Sequence, residues 1–157
     1  MKVGILALQG DFREHKIILH KIGVEAALIK LPEHLKSIDR LIIPGGESTT
    51  IGKLLSIYNL IKPIRERVKK GMPVWGTCAG AILMAKRISD GLPKQNSLNL
   101  MDIIAKRNAF GSQLDSFETN LNIKQISTVP LHVVFIRAPI LESPGRHRDL
   151  RKPCRGC

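Results

Sequence analysis

The chain is poor in aromatic residues, cysteine and acidic residues, and it has no long apolar segment. Only 4% of the 157 residues are aromatic, three are cysteines, and 13 acidic residues face 25 basic ones. No apolar run approaches the roughly 18–20 residues of a membrane span, and three cysteines do not form a disulfide framework. We therefore expect a cytoplasmic protein with no membrane partner. The strand pattern that begins directly after Met1 predicts no secretory signal.

The excess of basic residues would be typical of a nucleic-acid-binding protein. The formal net charge is +12, but it is unevenly placed, because residues 143–157 alone hold five basic residues and one acidic residue. The scarcity of aromatic residues and the lack of a recognition motif argue against such a protein. We expect no nucleic-acid partner. Strong, salt-sensitive binding to DNA or RNA would identify the alternative.

Short apolar runs alternate with helical patterns along the first ninety residues. The predicted strands are 3–8, 25–31, 40–43 and 74–76, and the predicted helices are capped by Asp11 and by Ser48 or Thr49 or begin at Pro63 and Ala79. This alternation predicts an α/β domain whose parallel sheet, mixed at its edge, has helices on both faces. We expect the domain to span residues 1–142, with further strands at 101–105 and 131–136 and a loop at 107–118. Residues 143–157 form a basic tail of a different character.

One cysteine lies on a predicted tight turn. Residues 76–80 have the form G-x-C-x-G between a predicted strand and a predicted helix, which is the cysteine counterpart of the nucleophile elbow. The glycines allow a sharp turn, the helix N-terminus favours the thiolate of Cys78, and the N–H of Ala79 is a candidate oxyanion donor. The alternative is a buried structural cysteine, which is common for an isolated cysteine but does not account for the glycines.

A second glycine-rich turn follows another predicted strand. Residues 44–50 read Pro-Gly-Gly-Glu-Ser-Thr-Thr, and ligands of parallel sheets bind where the strands end. Gly45 and Gly46 can present backbone N–H groups to an oxyanion, and Glu47 can hold an ammonium group. A simple strand-to-helix turn would explain the glycines but not the acid. The spacing to Gly52 and Lys53 excludes a phosphate-binding loop.

Two arginines can bind a carboxylate through a pair of hydrogen bonds. Arg107 follows the predicted strand 101–105, and Arg137 follows the predicted strand 131–136. Taken singly, each is more commonly a solvated surface residue. Their interest lies in their combination with the two glycine-rich turns.

Together these segments resemble class I glutamine amidotransferase domains and, among them, the PdxT/SNO family of glutaminase subunits of pyridoxal 5'-phosphate synthase. The matching segments run in family order through residues 1–142, and they are 5–12, 43–50, 75–80, 107–111, 115–118 and 135–139. The G-x-C-x-G element alone occurs in many thiol hydrolases, whereas the full set is specific. The resemblance implies the flavodoxin-like, three-layer fold of the class I glutamine amidotransferases.

The resemblance also implies a function. L-Glutamine would be hydrolysed to L-glutamate and ammonia, with Cys78 as the nucleophile that forms a thioester. The ammonia would pass to a (β/α)8-barrel synthase subunit for vitamin B6 synthesis, and Gln9 would lie near that interface. No cofactor and no metal are implied. The implied glutamine-binding residues are Gly46, Glu47, Ser48, Arg107, Ile136 and Arg137, and the implied oxyanion hole is formed around Gly45, Gly46 and Ala79.

The sequence departs from the family in the base that the thiol requires. The family has a His-x-Glu element downstream of the Ile-Arg-Ala-Pro segment, and the 157 residues contain none. We interpret His132 as structural and the spacing of His147 to Asp149 as a chance match, and Ser112 stands where the family usually has arginine. We therefore expect a shifted reading frame near Glu142, loss of the histidine and glutamate partners, and impaired activity.

Two further alternatives remain within the same fold. A catalytically inactive subunit could still dock on a synthase, and a different thiol hydrolase could use the same elbow. Release of ammonia from glutamine, measured with and without the synthase, separates an active glutaminase from a docking subunit. The combination of Glu47, Arg107 and Arg137 argues against a different thiol hydrolase.

Overall fold

The structure is a computed structural model that describes residues 1–91, 95–107, 117–123, 127–136 and 138–143. Its elements in chain order are β1 (Lys2–Leu6), α1 (Phe12–Lys21), β2 (Glu25–Ile29), a 3-10 helix (Pro32–Ser37), β3 (Arg40–Ile43), α2 (Ser48–Ile57), α3 (Ile61–Lys69), β4 (Val74–Gly76), α4 (Ala79–Met84), β5 (Ala85–Ile88), β6 (Met101–Lys106), β7 (Phe117–Leu121), β8 (Leu131–Phe135) and β9 (Ile140–Glu142).

The first four strands form a parallel sheet in the order β2-β1-β3-β4. The register pairs Ile5 of β1 with Ile42 of β3, and Ile42 in turn with Trp75 of β4. All four strands therefore end at the same edge of the sheet. The turns that follow β1, β3 and β4 contain the segments beginning at Ala7, Pro44 and Thr77, and they meet there because these three strands are neighbours.

Two smaller sheets follow. Strand β6 pairs in parallel with β5 and antiparallel with β9, while β7 and β8 form an antiparallel pair of their own. The predicted loop at 107–118 is wrong at its end, because Phe117 and Glu118 are the first residues of β7. Residues 108–116 lie outside the described part of the chain.

The core lies between the four-stranded sheet and the helices that follow β3 and β4. Its members are apolar side chains with almost no exposed surface, among them Leu6, Ile43, Ile51, Leu55 and Leu83. Burying each such side chain stabilises the fold by about 1.5–3 kcal/mol relative to leaving it in water. The sheet edge that holds the three turns is therefore fixed by a well-packed interior.

Helix α1 differs from the other helices in its packing. None of its residues is buried, and Ile17 and Ile18 are 55% and 57% exposed. The helix starts and ends within a residue of the predicted limits, and Gly23 continues the chain at a positive φ of 70°. No helix in the described ranges is long and apolar enough to cross a membrane.

Candidate active site

The predicted elbow is present between β4 and α4. Cys78 follows Thr77, occupies the position before the first helical residue, and has φ 45° and ψ −105°. The N–H of Thr77 donates to the carbonyl oxygen of Ile43 at 3.1 Å, and the N–H of Gly80 donates to the carbonyl oxygen of Thr77 at 2.8 Å. A non-glycine residue in this conformation costs about 1–3 kcal/mol and persists only where its surroundings fix it. These two hydrogen bonds and the buried helix supply that constraint.

The glycines on either side of Cys78 are required by close backbone packing. A Cβ at Gly76 would lie 2.6 Å from the carbonyl carbon of Gly80, and a Cβ at Gly80 would overlap the carbonyl oxygen of Ile43. Helix α4 therefore starts directly against the ends of β3 and β4. The G-x-C-x-G spacing is the local signal of this close approach.

We expect Gly80→Ala to lower the free energy of unfolding by about 1–3 kcal/mol, because the new methyl group meets a fixed carbonyl of β3. Gly23→Ala is the matched control, since a Cβ there meets nothing within 4 Å and bears only the strain of φ 70°. Urea denaturation followed by circular dichroism measures both. Equal losses in the two variants would contradict the packing argument.

The thiol of Cys78 is exposed and free. Desolvation by the surrounding protein raises its pKa, the N–H of Ala79 lowers it, and the carboxylate of Asp11 raises it again. Together these effects raise the pKa of Cys78 above the ordinary value for a thiol. The prediction that the helix start makes the thiolate the preferred form is therefore wrong. The favourable N–H of the helix start is present, but burial outweighs it.

The turn after β3 lies against the turn after β1. The N–H of Asp11 donates to the carbonyl oxygen of Gly45 at 3.1 Å, and the N–H of Glu47 donates to Oε1 of Gln9 at 2.8 Å. Gly46 has φ 150°, and a Cβ there would lie 2.7 Å from Oε1 of Gln9. A Cβ at Gly45 would likewise lie 3.7 Å from Cβ of Cys78. The glycine pair is thus held beside the elbow, where the sequence predicted an oxyanion hole.

Glu47 caps helix α2, a role that the sequence assigned to Ser48 or Thr49. Its carboxylate accepts hydrogen bonds from the N–H of Thr49 at 3.0 Å and from the N–H and Oγ1 of Thr50 at 2.6 and 2.7 Å. Burial raises the pKa of Glu47, but these hydrogen bonds outweigh it, and its pKa is lowered. The carboxylate is therefore an anion fixed at the start of α2.

Arg107 joins the turn after β3 to the segment that precedes β6. Its Nη1 donates to Oγ1 of Thr49 at 3.1 Å and to Oε1 of Gln95 at 2.9 Å, and its Nη2 lies 3.5 Å from Oε1 of Glu47. Nε2 of Gln95 donates in turn to Oγ of the buried Ser48 at 3.1 Å. Three residues predicted as glutamine-binding, Glu47, Ser48 and Arg107, therefore form one polar network.

Among the other predicted residues, Ile136 and His132 lie outside this network, and the rest named here fall outside the described part of the chain. Ile136 follows β8, is 59% exposed, and belongs to a hairpin that is not hydrogen-bonded to the four-stranded sheet. Arg137 and His147 lie outside the described residues, as do residues 144–157 of the tail. His132 lies in β8, with Nε2 at 3.1 Å from Oε2 of Glu118.

Three residues near the site have positions or contacts that their sequence context does not indicate. Gln95 gave no signal, because it lies in a segment without clear periodicity. His15 belongs to no recognisable motif, yet its Nε2 lies 3.4 Å from Oγ1 of Thr77 and its ring packs edge-on against Trp75, with the centroids 5.8 Å apart. Asp11 was predicted as a helix cap, yet its side chain makes no capping hydrogen bond.

No group of three or more histidine, cysteine, aspartate or glutamate side chains in the described ranges could hold a metal ion. The chemistry available at this edge is that of a thiol beside backbone donors. A carboxylate and a guanidinium lie a few residues away.

Comparison with known proteins places this arrangement in a family. A sequence model of the SNO glutamine amidotransferase family matches residues 5–151. A curated protein of Roseiflexus sp. (strain RS-1), pyridoxal 5'-phosphate synthase subunit PdxT, is 63% identical over 146 residues, which cover 93% of this chain and 77% of that protein. Its counterpart in Roseiflexus castenholzii is 62% identical over 145 residues, covering 92% and 77%.

A solved structure agrees with the sequence comparisons. A crystal structure of a glutamine amidotransferase matches with a TM-score of 0.80 and 50% identity, covering 88% of this chain and 72% of that chain. The fold and the cysteine elbow thus define a class I glutamine amidotransferase-like protein, and the predicted fold class is confirmed. Within that class, the chain belongs to the SNO glutamine amidotransferase family.

Proposed function

We propose that this chain is the glutaminase subunit of a pyridoxal 5'-phosphate synthase. It hydrolyses L-glutamine to L-glutamate and ammonia, and it delivers the ammonia to a synthase partner for vitamin B6 synthesis in the cytoplasm. The observation that carries the proposal is the strained elbow at Cys78, held against the glycine pair at the end of the neighbouring strand. Relatives named as subunit PdxT, at 63% and 62% identity, support the same reaction.

The reaction follows from the groups at the elbow. The thiolate of Cys78 attacks the side-chain amide carbon of glutamine, and the carbonyl oxygen becomes an oxyanion. The N–H of Ala79 and the backbone around Gly45 and Gly46 are the donors proposed to stabilise it. The proton that the Cys78 thiol gives up passes to the amide nitrogen, so that the carbon–nitrogen bond breaks, ammonia leaves and a thioester remains. Water then attacks the thioester, which releases glutamate and restores the thiol.

We propose that the network around Arg107 binds the amino-acid end of glutamine. Arg107 supplies a guanidinium that can hold a carboxylate through paired hydrogen bonds. Glu47 supplies a fixed carboxylate for the ammonium group, and Ser48 connects to both through Gln95. We extend the proposed site to Gly46, which lies beside this network. We also include Ile136 and Arg137, for which the family resemblance is the only support.

We propose that the partner is a (β/α)8-barrel synthase subunit that docks beside the turn containing Gln9. The exposed apolar side chains of α1 support a docking surface next to that turn, since an exposed apolar patch is typical of an interaction site. Ile17 and Ile18 are each more than half exposed.

The experiment is release of ammonia from L-glutamine by the purified chain, alone and with the synthase subunit of the same organism. We expect release that depends on the synthase and on Cys78. Stable docking on the synthase without ammonia release would instead identify the docking-only alternative. Absence of both docking and release would contradict the proposed function altogether.

A further inference from the structure

The side chain of Asp11 faces the elbow rather than its own helix. Asp11 occupies the position that caps α1, yet its carboxylate makes no capping hydrogen bond. Its Oδ2 lies 3.0 Å from the point where Gly45 would carry a Cβ, and Cβ of Cys78 lies 3.7 Å from the same point. The carboxylate and the nucleophile therefore border the same small space, which is open because Gly45 has no side chain.

The backbone fixes the carboxylate in this place. The N–H of Asp11 donates to the carbonyl oxygen of Gly45 at 3.1 Å, and Gly10 packs so closely against that carbonyl that a Cβ would overlap it. The turn after β1 thus has a defined position relative to the turn after β3. The carboxylate extends from a backbone that is itself anchored to the glycine pair.

Other charged groups around Cys78 have different partners. Helix α4 contributes no titratable side chain, and the carboxylate of Glu47 is bound to Thr49, Thr50 and Arg107. His15 of α1 contacts Oγ1 of Thr77. Asp11 is therefore the carboxyl side chain that borders Cys78 in the described part of the site.

We propose that Asp11 is a positioning residue that keeps Cys78 in its thiol form, so that the resting subunit reacts slowly with electrophiles. A carboxylate near a thiol disfavours the thiolate by charge repulsion, and the thiolate is the reactive species. Burial raises the pKa of Cys78 most, and the charge of Asp11 raises it further. The proposal rests on the proposed function, in which Cys78 is the nucleophile.

The test is the rate of alkylation of Cys78 by iodoacetamide between pH 6 and pH 10.5. Cys154 and Cys157 also react, so the peptide that contains Cys78 is quantified by mass spectrometry. We expect Asp11→Asn to shift the midpoint of the pH profile downwards and to raise the rate at pH 7.5 about three- to tenfold. The plateau rate, which is reached only where the thiol is fully ionised, should be the same in both chains.

Two variants control for the charge. Glu14→Gln removes an acidic residue from the exposed first turn of α1, and we expect it to leave the profile unchanged. Asp11→Glu keeps the charge and should retain most of the slow rate. An Asp11→Asn profile with the parent's midpoint would overturn the proposal, and so would a changed plateau without a shifted midpoint. The assay measures alkylation of the thiol by iodoacetamide and uses no glutamine, so its outcome does not depend on whether the chain hydrolyses glutamine.

Discussion

Replacing Cys78 with alanine should reduce release of ammonia from L-glutamine in the presence of the synthase to the uncatalysed background, from a parent rate that we expect to be itself lowered by the missing His-x-Glu element. The physical reason is that the thioester cannot form, while the fold is preserved because the side chain is exposed. Ammonia is measured through the oxidation of a nicotinamide cofactor by added glutamate dehydrogenase. Circular dichroism of the variant should match that of the parent chain.

Covalent labelling of the nucleophile tests the role of Cys78 without requiring repeated turnover of glutamine. A glutamine analogue that carries a diazoketone in place of the amide should label the parent chain once, at Cys78. We expect no labelling of Cys78→Ala and full labelling of Cys154→Ala, which removes a cysteine of the basic tail. Equal labelling of the parent chain and Cys78→Ala would place the nucleophile elsewhere.

The strands and the elbow could be predicted because their signals are local. Strands β3 and β4 have the predicted limits, since each is a short apolar run closed by a glycine turn. The spacing of Gly76, Cys78 and Gly80 encodes a contact between adjacent elements, and it was sufficient to locate the candidate nucleophile. Both signals depend on a few neighbouring residues.

The helix caps could not be predicted because tertiary contacts decide them. Local preference favours Ser48 or Thr49 as the cap of α2, but Glu47 takes that role while also lying 3.5 Å from Arg107, sixty positions away. Asp11 is a good local cap for α1, yet its carboxylate makes no capping hydrogen bond, and its Oδ2 lies 3.0 Å from the point where Gly45 would carry a Cβ. In each case the deciding partner lies on another strand turn.

The reactivity of the thiol is a further property that the sequence alone did not supply. A helix start after Cys78 correctly predicts a favourable N–H from Ala79. The sequence does not predict how far the surrounding turns desolvate the sulfur of Cys78. This desolvation is the largest influence on its pKa, which is raised.

Arg107→Ala should raise the KM for glutamine about tenfold to a hundredfold with a smaller change in kcat. The side chain of Arg107 is 20% exposed, and its guanidinium contacts Thr49, Gln95 and Glu47. Its loss removes a carboxylate-binding group and leaves the network without its centre. Initial rates over a range of glutamine concentrations measure both constants. Arg87→Ala, at an exposed position of strand β5, is the matched control and should leave KM unchanged.

The geometry of the guanidinium, and not charge alone, should account for this effect. Arg107→Lys retains the charge but not the planar pair of donors, and we expect it to restore less than half of the lost binding free energy. A KM equal to that of the parent chain would contradict a paired contact. Because Arg107 and Glu47 belong to one network, the losses in Arg107→Ala and Glu47→Gln should not add in the double variant. Full additivity would mean that the two residues act on glutamine separately, and that the 3.5 Å approach of their side chains has no part in binding.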